Sequence, residues 1–349
     1  MFRTKKSIIC RDISDYAVNE ELITHYVPKA GDVAIFEVGE IGRHRNIQSI
    51  DKRNIPIMPG DLLIATFADR YATSQFEGYV PSEAMTTVHI LSAGGAIGIV
   101  RTKNASLEDV EPTNVHIIGY LTEPDGSVIN TKFRNIPRKT FRGEIPNNAK
   151  VMLSIGSTMD SGKTTTAAHL ARGLKYTGGT VAFIKLTGTV YTKDKDYVYD
   201  LGADIAIDFS DAGFPSTYMC DEQDILDLYQ TLLDQLEPHQ PDYIVMEIAD
   251  GLMQRETAYL LQNKDFMQTI YNVVFSCGDS LSALHGVGML RNMGIQPAAI
   301  SGRFTMSPLL IQEVHSCSGI PTLTIDELMT GQCNAIFMDE SVALLAEKI

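Results

Sequence analysis

The residues best suited to chemistry form a glycine loop between an apolar run and a helical segment. The apolar run 151–155 is followed by GSTMDSGKTT, residues 156–165. A glycine loop between a strand and a helix wraps a phosphate with its backbone N–H groups, and the helix N-terminus adds its dipole. In such a loop Lys163 would reach the β- and γ-phosphates of a nucleotide, and the Thr164 hydroxyl would ligate Mg²⁺. The pattern predicts a nucleotide site; the alternative is a degenerate loop that no longer binds.

The spacing of this loop departs from the common form. That form has four residues between its glycines, whereas Gly156 and Gly162 bracket five, so that Ser157 stands where the first glycine belongs. The predicted nucleotide-binding residues are Gly156, Ser157, Asp160, Ser161, Gly162, Lys163, Thr164 and Thr165.

Two further apolar runs end in charged residues. The run 180–184 leads to Lys185, and the run from 243 reaches Glu247, with Asp250 shortly after it. Ligands bind at the carboxyl ends of buried parallel strands, so Lys185 is placed to hold a transferred phosphoryl group and Glu247 to bind Mg²⁺. A solvated lysine at a strand end is the alternative for Lys185. Asp250 is equally compatible with a functional role and with a loop position.

Other charged residues have competing interpretations. Within the acidic stretch 202–213, Asp208 is the preferred metal ligand or general base, and Asp211 reads as a cap in a solvated loop. Asp279 is better placed to cap the next helix than to touch a ligand. Arg303 suits either a substrate contact or a surface ion pair. The predicted catalytic residues are Lys163, Lys185, Asp208 and Glu247, and the predicted metal ligands are Thr164, Glu247 and Asp208.

The elements that must position these residues belong to a parallel α/β sheet. The apolar runs after residue 150 are continuous rather than alternating, as in strands buried on both faces, and helix-period segments separate them. The predicted strands are 151–155, 180–184, 243–248, 273–276, 298–301 and 321–325, and the predicted helices are 164–176, 221–236, 280–293, 307–317 and 341–348.

The first part of the chain has a different pattern. Short apolar or alternating runs are separated by turn signals, and this spacing predicts a small antiparallel barrel or sandwich. Only residues 15–25 and 81–85 look helical. The predicted strands are 33–38, 62–67, 88–91, 97–100 and 115–121.

These patterns predict two domains. We place a smaller β-rich domain at 1–148, a polar linker with two prolines at about 135–150, and the nucleotide-binding α/β domain at 149–349. Two polar turns of the first domain, 39–45 and 69–79, could help recognise substrate, because loops at domain boundaries often do so. The alternative is that they are hairpin tips and packing surfaces.

Composition excludes several classes of protein. The 349 residues are 44% hydrophobic and 21% charged, as in ordinary globular domains. Nucleic-acid binding needs a broad positively charged surface that contacts many backbone phosphates. The formal net charge of −14 argues against such a surface and therefore disfavours nucleic acid as a partner. No apolar run is long enough for a membrane span, and the N-terminus lacks the apolar stretch of a signal peptide. We expect a cytoplasmic protein with no membrane association.

Cysteine and histidine show no metal-ligand spacing. The five cysteines are scattered and read as isolated buried thiols of a reducing compartment, and the eight histidines predict no structural zinc.

Three motifs together resemble dethiobiotin synthetase. They are GSTMDSGKTTTA, VAFIKLTGT and DYIVMEIADG, and the resemblance covers about residues 151–328 and none of the first domain. It implies a P-loop NTPase fold, with Lys163 and Lys185 on phosphate, Thr164 and Glu247 on Mg²⁺, and Asp208 as a further metal ligand. The family also has a five-residue gap in its phosphate loop.

Two departures from that family leave the substrate and the base open. The acidic loop reads EIADG where the family's loop is glycine-rich, and Ser301-Gly302 stands where the family has an asparagine for adenine. The chain is also similar to related P-loop proteins with fused N-terminal domains. The loop lacks the extra lysine of the partition and nitrogenase-iron-protein ATPases. This difference argues against the hypothesis of a dimer that works as a motor.

The leading hypothesis is a Mg-ATP-dependent small-molecule kinase or ligase of this group, acting on an unidentified acceptor, with GTP as the alternative nucleotide. A regulatory or assembly NTPase read by a partner protein is the second hypothesis. A polynucleotide 5′-hydroxyl kinase is the third, and a non-catalytic nucleotide-binding module the last. Homodimerisation is an expectation by analogy with P-loop proteins.

Overall fold

The computed structural model describes residues 4–338. The chain forms two compact units, each assembled from separate stretches. Unit 1 comprises Met1–Arg138, Gly188–Thr192 and Phe209–Met219, and unit 2 comprises Lys139–Thr187, Lys193–Asp208 and Cys220–Ile349. This division differs from a single boundary near residue 148, because unit 1 takes two short segments from the second half of the chain.

Within the described residues, unit 1 contains ten strands. They are β1 (Lys5–Lys6), β2 (Ala17–Asn19), β3 (Val33–Val38), β4 (Asn46–Gln48), β5 (Asn54–Pro56), β6 (Leu62–Phe67), β7 (Phe76–Tyr79), β8 (Thr87–Ile90), β9 (Ala96–Lys103) and β10 (Asn114–Thr122). Five of them close a ring in the order β6-β3-β10-β8-β9 and back to β6, while β4 and β5 form a separate hairpin. Four pairs in the ring are antiparallel and the closing pair, β6 with β9, is parallel. Of the two architectures predicted for this region, the structure has the barrel.

Aromatic side chains fill the barrel. Phe36, Phe67 and Tyr120 are all fully buried. Phe67 lies 5.5 Å from Phe36 in an edge contact and 5.8 Å from Tyr120 in a stacked one, measured between ring centroids. Burying each such ring contributes roughly 1.5–3 kcal/mol, so these three residues account for a large share of the stability of unit 1.

Both helices predicted in unit 1 are wrong. Residues 15–25 contain β2, which pairs with β10, and a 3₁₀ turn at Glu21–Thr24. The Asn19 side chain accepts a hydrogen bond from the Glu21 backbone N–H, a local bond that competes with helix formation. Residues 81–85 form bends. A segment of that length cannot offset the cost of helix nucleation without packing partners.

Unit 2 is a parallel sheet flanked by helices, and the predicted α/β class is confirmed. Its strands are β11 (Lys150–Gly156), β12 (Val181–Lys185), β13 (Ile205–Asp208), β14 (Tyr243–Glu247), β15 (Asn272–Ser276) and β16 (Ala299–Ser301). They run in the order β13-β12-β14-β11-β15-β16, and every pair is parallel. The helices are α1 (Lys163–Leu174), α2 (Lys193–Asp200), α3 (Glu222–Leu236), α4 (Arg255–Gln262), α5 (Lys264–Gln268), α6 (Ser280–Asn292), α7 (Pro308–Ser318), α8 (Ile325–Thr330) and α9 (Asn334–Met338).

Several elements of unit 2 differ from the sequence prediction. The edge strand β13 and the helices α2, α4, α5, α8 and α9 were not predicted. The strand expected at 321–325 is only a single bridge between Thr322 and Ile300, followed by α8. The helix predicted at 341–348 lies outside the described residues. The missed elements are short, and β13 lies at the sheet edge, where the continuous apolar signal of a buried strand is weak.

The predicted linker is attached to unit 2 over its second part. The backbone N–H groups of Lys139, Phe141 and Arg142 donate to side chains of α3, namely Thr231 (3.0 Å), Asp227 (3.0 Å) and Gln230 (3.1 Å). Side chains of α3 thus accept the hydrogen bonds of the backbone N–H groups in this segment. These bonds explain why unit 2 begins at Lys139.

All five cysteines are free thiols. Four are buried, but Cys317 on α7 is exposed, so the expectation of buried thiols is wrong at that position. Within residues 4–338, no helix is both long and apolar enough to cross a membrane.

Candidate functional site

The glycine loop lies between β11 and α1, as the sequence pattern requires. Gly162 caps α1 in the left-handed region, with φ of 103°, and a Cβ there would lie 3.2 Å from the Gly302 Cα. A Cβ at Gly156 would lie 2.2 Å from the Ser161 Oγ and 2.6 Å from the Lys163 Cγ. The loop therefore depends on glycine at both positions, since a side chain at Gly156 would occupy the space beside Lys163.

Neighbouring loops hold the glycine loop in place. The Ser157 N–H donates to the Ser276 carbonyl at the end of β15 (2.9 Å), and the Arg303 N–H donates to the Ser161 carbonyl (3.1 Å). The Ser157 and Ser161 hydroxyls are buried and have no hydrogen-bond partner within residues 4–338. Buried hydroxyls without partners are costly, and here they stand in the loop that we expect to receive a phosphate.

Lys163 begins α1 and is nearly buried, with 6% of its surface exposed. Its ammonium group donates to the Thr158 carbonyl of the loop (2.8 Å). Burial lowers the pKa of Lys163 below its usual value, and the carboxylates of Glu247 and Asp250 oppose this effect. The Lys163 side chain thus points back over the glycine loop towards Thr158.

Thr164 and Glu247 meet directly. The Thr164 hydroxyl donates to the Glu247 Oε1 (2.9 Å), and Glu247 at the end of β14 is 1% exposed. The other carboxylate oxygen, Oε2, is buried and has no hydrogen-bond partner in the described part of the chain. A hydroxyl and a carboxylate with a free buried oxygen fit the donor set of Mg²⁺.

Lys185 joins the same cluster from β12. Its register partner on β14 is Glu247, and its ammonium group lies 3.4 Å from the Glu247 Oε1. It also donates to Asp194 on α2. Burial acts to lower the pKa of Lys185, but the carboxylates of Glu247 and Asp194 outweigh it and raise the pKa above its usual value. Lys185 is therefore a largely enclosed cation at physiological pH, with 12% of its side chain exposed.

Asp208 stands apart from this cluster. On β13, Asp208 is the register partner of Lys185, and Glu247 is the register partner of Lys185 on β14, on the opposite side of β12. Two strand spacings, roughly 10 Å, therefore separate the backbones of Asp208 and Glu247. Its carboxylate is nearly buried and lies 3.2 Å from the Lys195 ammonium on α2. The structure thus pairs Asp208 with a lysine. Its proposed role as a metal ligand remains a prediction.

The remaining candidates take different positions. Asp250 is half-buried; burial raises the pKa of its carboxyl group, while Lys163 and Lys185 act to lower it. Asp279 caps α6 by accepting the Ser282 N–H (2.8 Å), which agrees with the preferred interpretation. Asp160 is exposed, with φ of 61°.

Three other candidates have local roles. Half-buried Thr165 has its carbonyl 2.7 Å from the His169 Nδ1. Arg303 contacts the loop through its backbone. Asp211 is an ion-pair partner of Arg11 in unit 1 (2.9 Å) rather than a helix cap.

Sequence reasoning missed Asp194 and Lys195, the α2 residues that pair with Lys185 and Asp208. The sequence YTKDKDYVYD carries acids in a first helical turn, which is a helix-start signal. That signal could have located α2. The pairing itself depends on how α2 packs.

The two polar turns of unit 1 lie at one cavity within that unit. Arg43 from the first turn and Arg70 and Gln75 from the second are among its lining residues. Other residues of the second turn make local bonds, such as the Val80 N–H to Asp69 (2.8 Å), as expected of a hairpin.

Comparison with known proteins gives only a distant likeness. No family model and no curated protein matches the chain. One similar solved structure is the signal recognition particle 54 kDa protein from Aeropyrum pernix K1 in complex with GDP, with 14% identity and a TM-score of 0.38 over 59% of this chain and 50% of that one. Another is a ParA family ATPase from Chlorobium tepidum TLS, with 12% identity and a TM-score of 0.33 over 57% of this chain and 99% of that one.

The match thus spans half the length of the first structure. Scores this low carry no argument about function, and the resemblance to dethiobiotin synthetase is not confirmed by these comparisons. What unit 2 can do must be argued from its own residues.

Proposed function

We propose that unit 2 binds a Mg²⁺-bound nucleoside triphosphate and uses it to phosphorylate or activate a small-molecule acceptor. The observation that carries this proposal is the contact chain from Thr164 to Glu247 to Lys185, beside Lys163. The ammonium groups of Lys163 and Lys185 and the buried Glu247 carboxylate thus lie at the end of the sheet where the glycine loop begins.

The loop would hold the phosphates. Its backbone N–H groups and the first turn of α1 offer donors and a positive dipole end, and Lys163 adds a full positive charge next to them. When a nucleotide enters, its phosphate oxygens would replace the Thr158 carbonyl as the acceptor for the Lys163 ammonium. They would also provide partners for the Ser157 and Ser161 hydroxyls.

Thr164 and Glu247 would hold Mg²⁺. Protein sites for this ion usually supply one or two oxygen ligands, with phosphate and water completing the shell. Within residues 4–338 there is no group of three or more His, Cys, Asp or Glu residues that could hold a metal. The ion would neutralise charge on the phosphate oxygens.

Lys185 supports transfer in particular. A second buried cation at the strand end is placed to stabilise negative charge that grows as a phosphoryl group leaves. Its ion pairs with Glu247 and Asp194 keep the ammonium charged despite its burial. A pure nucleotide-binding module would not need this second charge.

Nucleotide turnover tests the proposal. The protein is incubated with Mg²⁺ and either ATP or GTP, and phosphate release is followed with and without a pool of small metabolites. We expect stimulation by the pool and a loss of about 10²–10³-fold or more in Lys163→Ala, since one charge-stabilising group contributes that much. Exposed Lys264, also in unit 2, gives the matched control Lys264→Ala.

Each outcome assigns a function. Fractionating a stimulating pool identifies the acceptor. Tight nucleotide binding without any response to metabolites contradicts the kinase or ligase proposal and directs the search to partner proteins, as for a regulatory NTPase. A mobility shift with short RNA would instead indicate a polynucleotide kinase.

A further inference from the structure

Unit 1 contains a cavity lined by arginines from the segments 43–45 and 70–75. Its volume is about 400 Å³, within the range of small-molecule sites. Arg43 and Arg45 line it from one segment and Arg70 from another, and no carboxylate side chain is among the lining residues. Three guanidinium groups thus line one cavity of a chain whose net charge is −14.

Two arginines of this cavity, Arg43 and Arg45, are available to a ligand. Within residues 4–338, the side chains of Arg43 and Arg45 make no ion pair or hydrogen bond, and both residues are exposed. Arg70 is 9% exposed, and its guanidinium group donates to the Leu91 carbonyl and to the Gln75 Oε1 (2.9 Å). These two bonds orient the Arg70 guanidinium group in the cavity wall.

Two buried polar atoms at the cavity have no partner. Ser92 is 6% exposed, and its Oγ has no hydrogen-bond partner in the described part of the chain. The same holds for the Nδ1 of His44. Burial lowers the pKa of His44 to about 3, and the positive charges of Arg70 and Arg43 act in the same direction. His44 is therefore a neutral ring. One ring N–H donates to the Ile90 backbone, which leaves Nδ1 as an acceptor for a ligand hydroxyl.

A third segment completes the cavity wall and is firmly held. Thr189, Val190 and Tyr191 line the cavity. The Tyr191 hydroxyl accepts a hydrogen bond from the Asn54 Nδ2 (2.6 Å). The adjacent Thr192 exchanges two bonds with the Gln48 amide, at 2.9 and 3.1 Å. A wall tied in this way needs little ordering when a ligand binds, which favours affinity.

We propose that this cavity binds a small organic anion through Arg43, Arg45 and Arg70. Guanidinium groups recognise carboxylate and phosphate oxygens with paired hydrogen bonds. The two exposed groups, on Arg43 and Arg45, favour a ligand with two negative charges, and Ser92 and His44 would bond its remaining polar atoms. The proposal rests on unit 1 residues alone and does not depend on nucleotide binding by unit 2.

Calorimetric titration of the full chain tests it. Succinate represents carboxylates, inorganic phosphate represents phosphates, and glucose is the uncharged control. The titrations use the Lys163→Ala background to weaken phosphate binding at the glycine loop, and the arginine variants below separate the remaining binding at that loop from binding in the cavity. We expect one anion to bind and glucose not to bind. The anion that binds more tightly distinguishes carboxylate from phosphate ligands.

Variants locate the binding. Arg43→Gln and Arg45→Gln change exposed side chains and should each weaken anion binding by about 10-fold or more, as expected for a charged hydrogen-bonding partner. Arg53→Gln is the matched control, because Arg53 is an exposed arginine paired with Asp51 and does not line the cavity. The absence of binding by both anions, or equal binding in all three variants, would overturn the proposal.

Discussion

In unit 2 the charged side chains stand at the ends of neighbouring strands, whereas in unit 1 two separate segments bring the arginines together and a third completes the cavity wall. Lys185 and Glu247 are register partners on parallel strands, and Thr164 follows a third strand after a short loop. Arg43, Arg70 and Tyr191 are far apart in sequence and meet only at the cavity.

This difference shows which kinds of site a sequence reveals. In a parallel sheet all carboxyl ends lie at one edge, so a charged residue after an apolar run is already placed near others of its kind. In a barrel, the positions of the connecting loops depend on strand order and closure. Four tests, from the largest expected effect to the smallest, examine this comparison.

The first test removes a barrel core residue. Phe67→Ala should lower the free energy of unfolding of unit 1 by about 3–5 kcal/mol, because it deletes a fully buried ring. Arg70 follows three residues later, so anion binding should weaken as well. Urea unfolding followed by circular dichroism measures the first effect and calorimetry the second. A loss below about 1 kcal/mol would mean that the barrel core does not support the cavity.

The second test separates chemistry from binding in unit 2. Lys185→Met should reduce turnover about 10²–10³-fold, since it removes one charge at the transferred group, while nucleotide affinity changes little. Lys175→Met is the matched control, because Lys175 forms a more exposed ion pair with Asp204 (2.6 Å). Equal turnover in the two variants would show that Lys185 is only structural. Single-turnover kinetics and fluorescent-nucleotide titration provide the two readouts.

The third test measures how the stability of the protein depends on pH through His44, a residue of the unit 1 cavity. The pKa of His44 is about 3 in the folded state, against an ordinary value near 6.5. Between these values the unfolded chain binds a proton that the folded chain excludes, so stability falls as pH decreases from 6.5 towards 3. The loss from this group should reach at most about 2 kcal/mol by pH 5.

Urea titrations at several pH values measure this loss. The variant His44→Gln should remove this part of the pH dependence, and His239→Gln, at an exposed histidine, should not. Identical pH profiles for the two variants would indicate that His44 is accessible to water and protons.

The fourth test concerns a residue that we assign to structure rather than chemistry. Asp279→Ala removes the cap of α6 and should lower stability by about 1 kcal/mol, with turnover unchanged. Thermal unfolding and the phosphate-release assay measure the two quantities. A loss of turnover larger than the loss of stability would move Asp279 into the site.

The fold of unit 2 was largely predictable. Continuous apolar runs indicated five of its six strands, and the glycine loop indicated where the first helix begins. The edge strand β13 was missed because Ile205–Asp208 is short and lies among acids. Its prediction as an acidic loop also hid the partner of Lys195.

Unit 1 was harder to predict in detail. Alternating runs indicated its five barrel strands, but helices were wrongly expected at 15–25 and 81–85. In the first of these, local side-chain bonds and pairing with β10 override helix propensity. Sequence alone could not choose between a barrel and a sandwich, because closure is a property of strand order.

The sequence by itself determined the position of the glycine loop, the parallel class of its sheet and the candidate charges Lys185 and Glu247 at two strand ends, since each follows from local spacing. Only the tertiary structure decided which of the candidate residues meet: Glu247 contacts Thr164 and Lys185, whereas Asp208 pairs with Lys195. It also brought the arginines of unit 1 to one cavity. The physical reason is that a charged side chain is stabilised by whatever partner folding brings within a few ångströms, and that partner can come from any part of the chain.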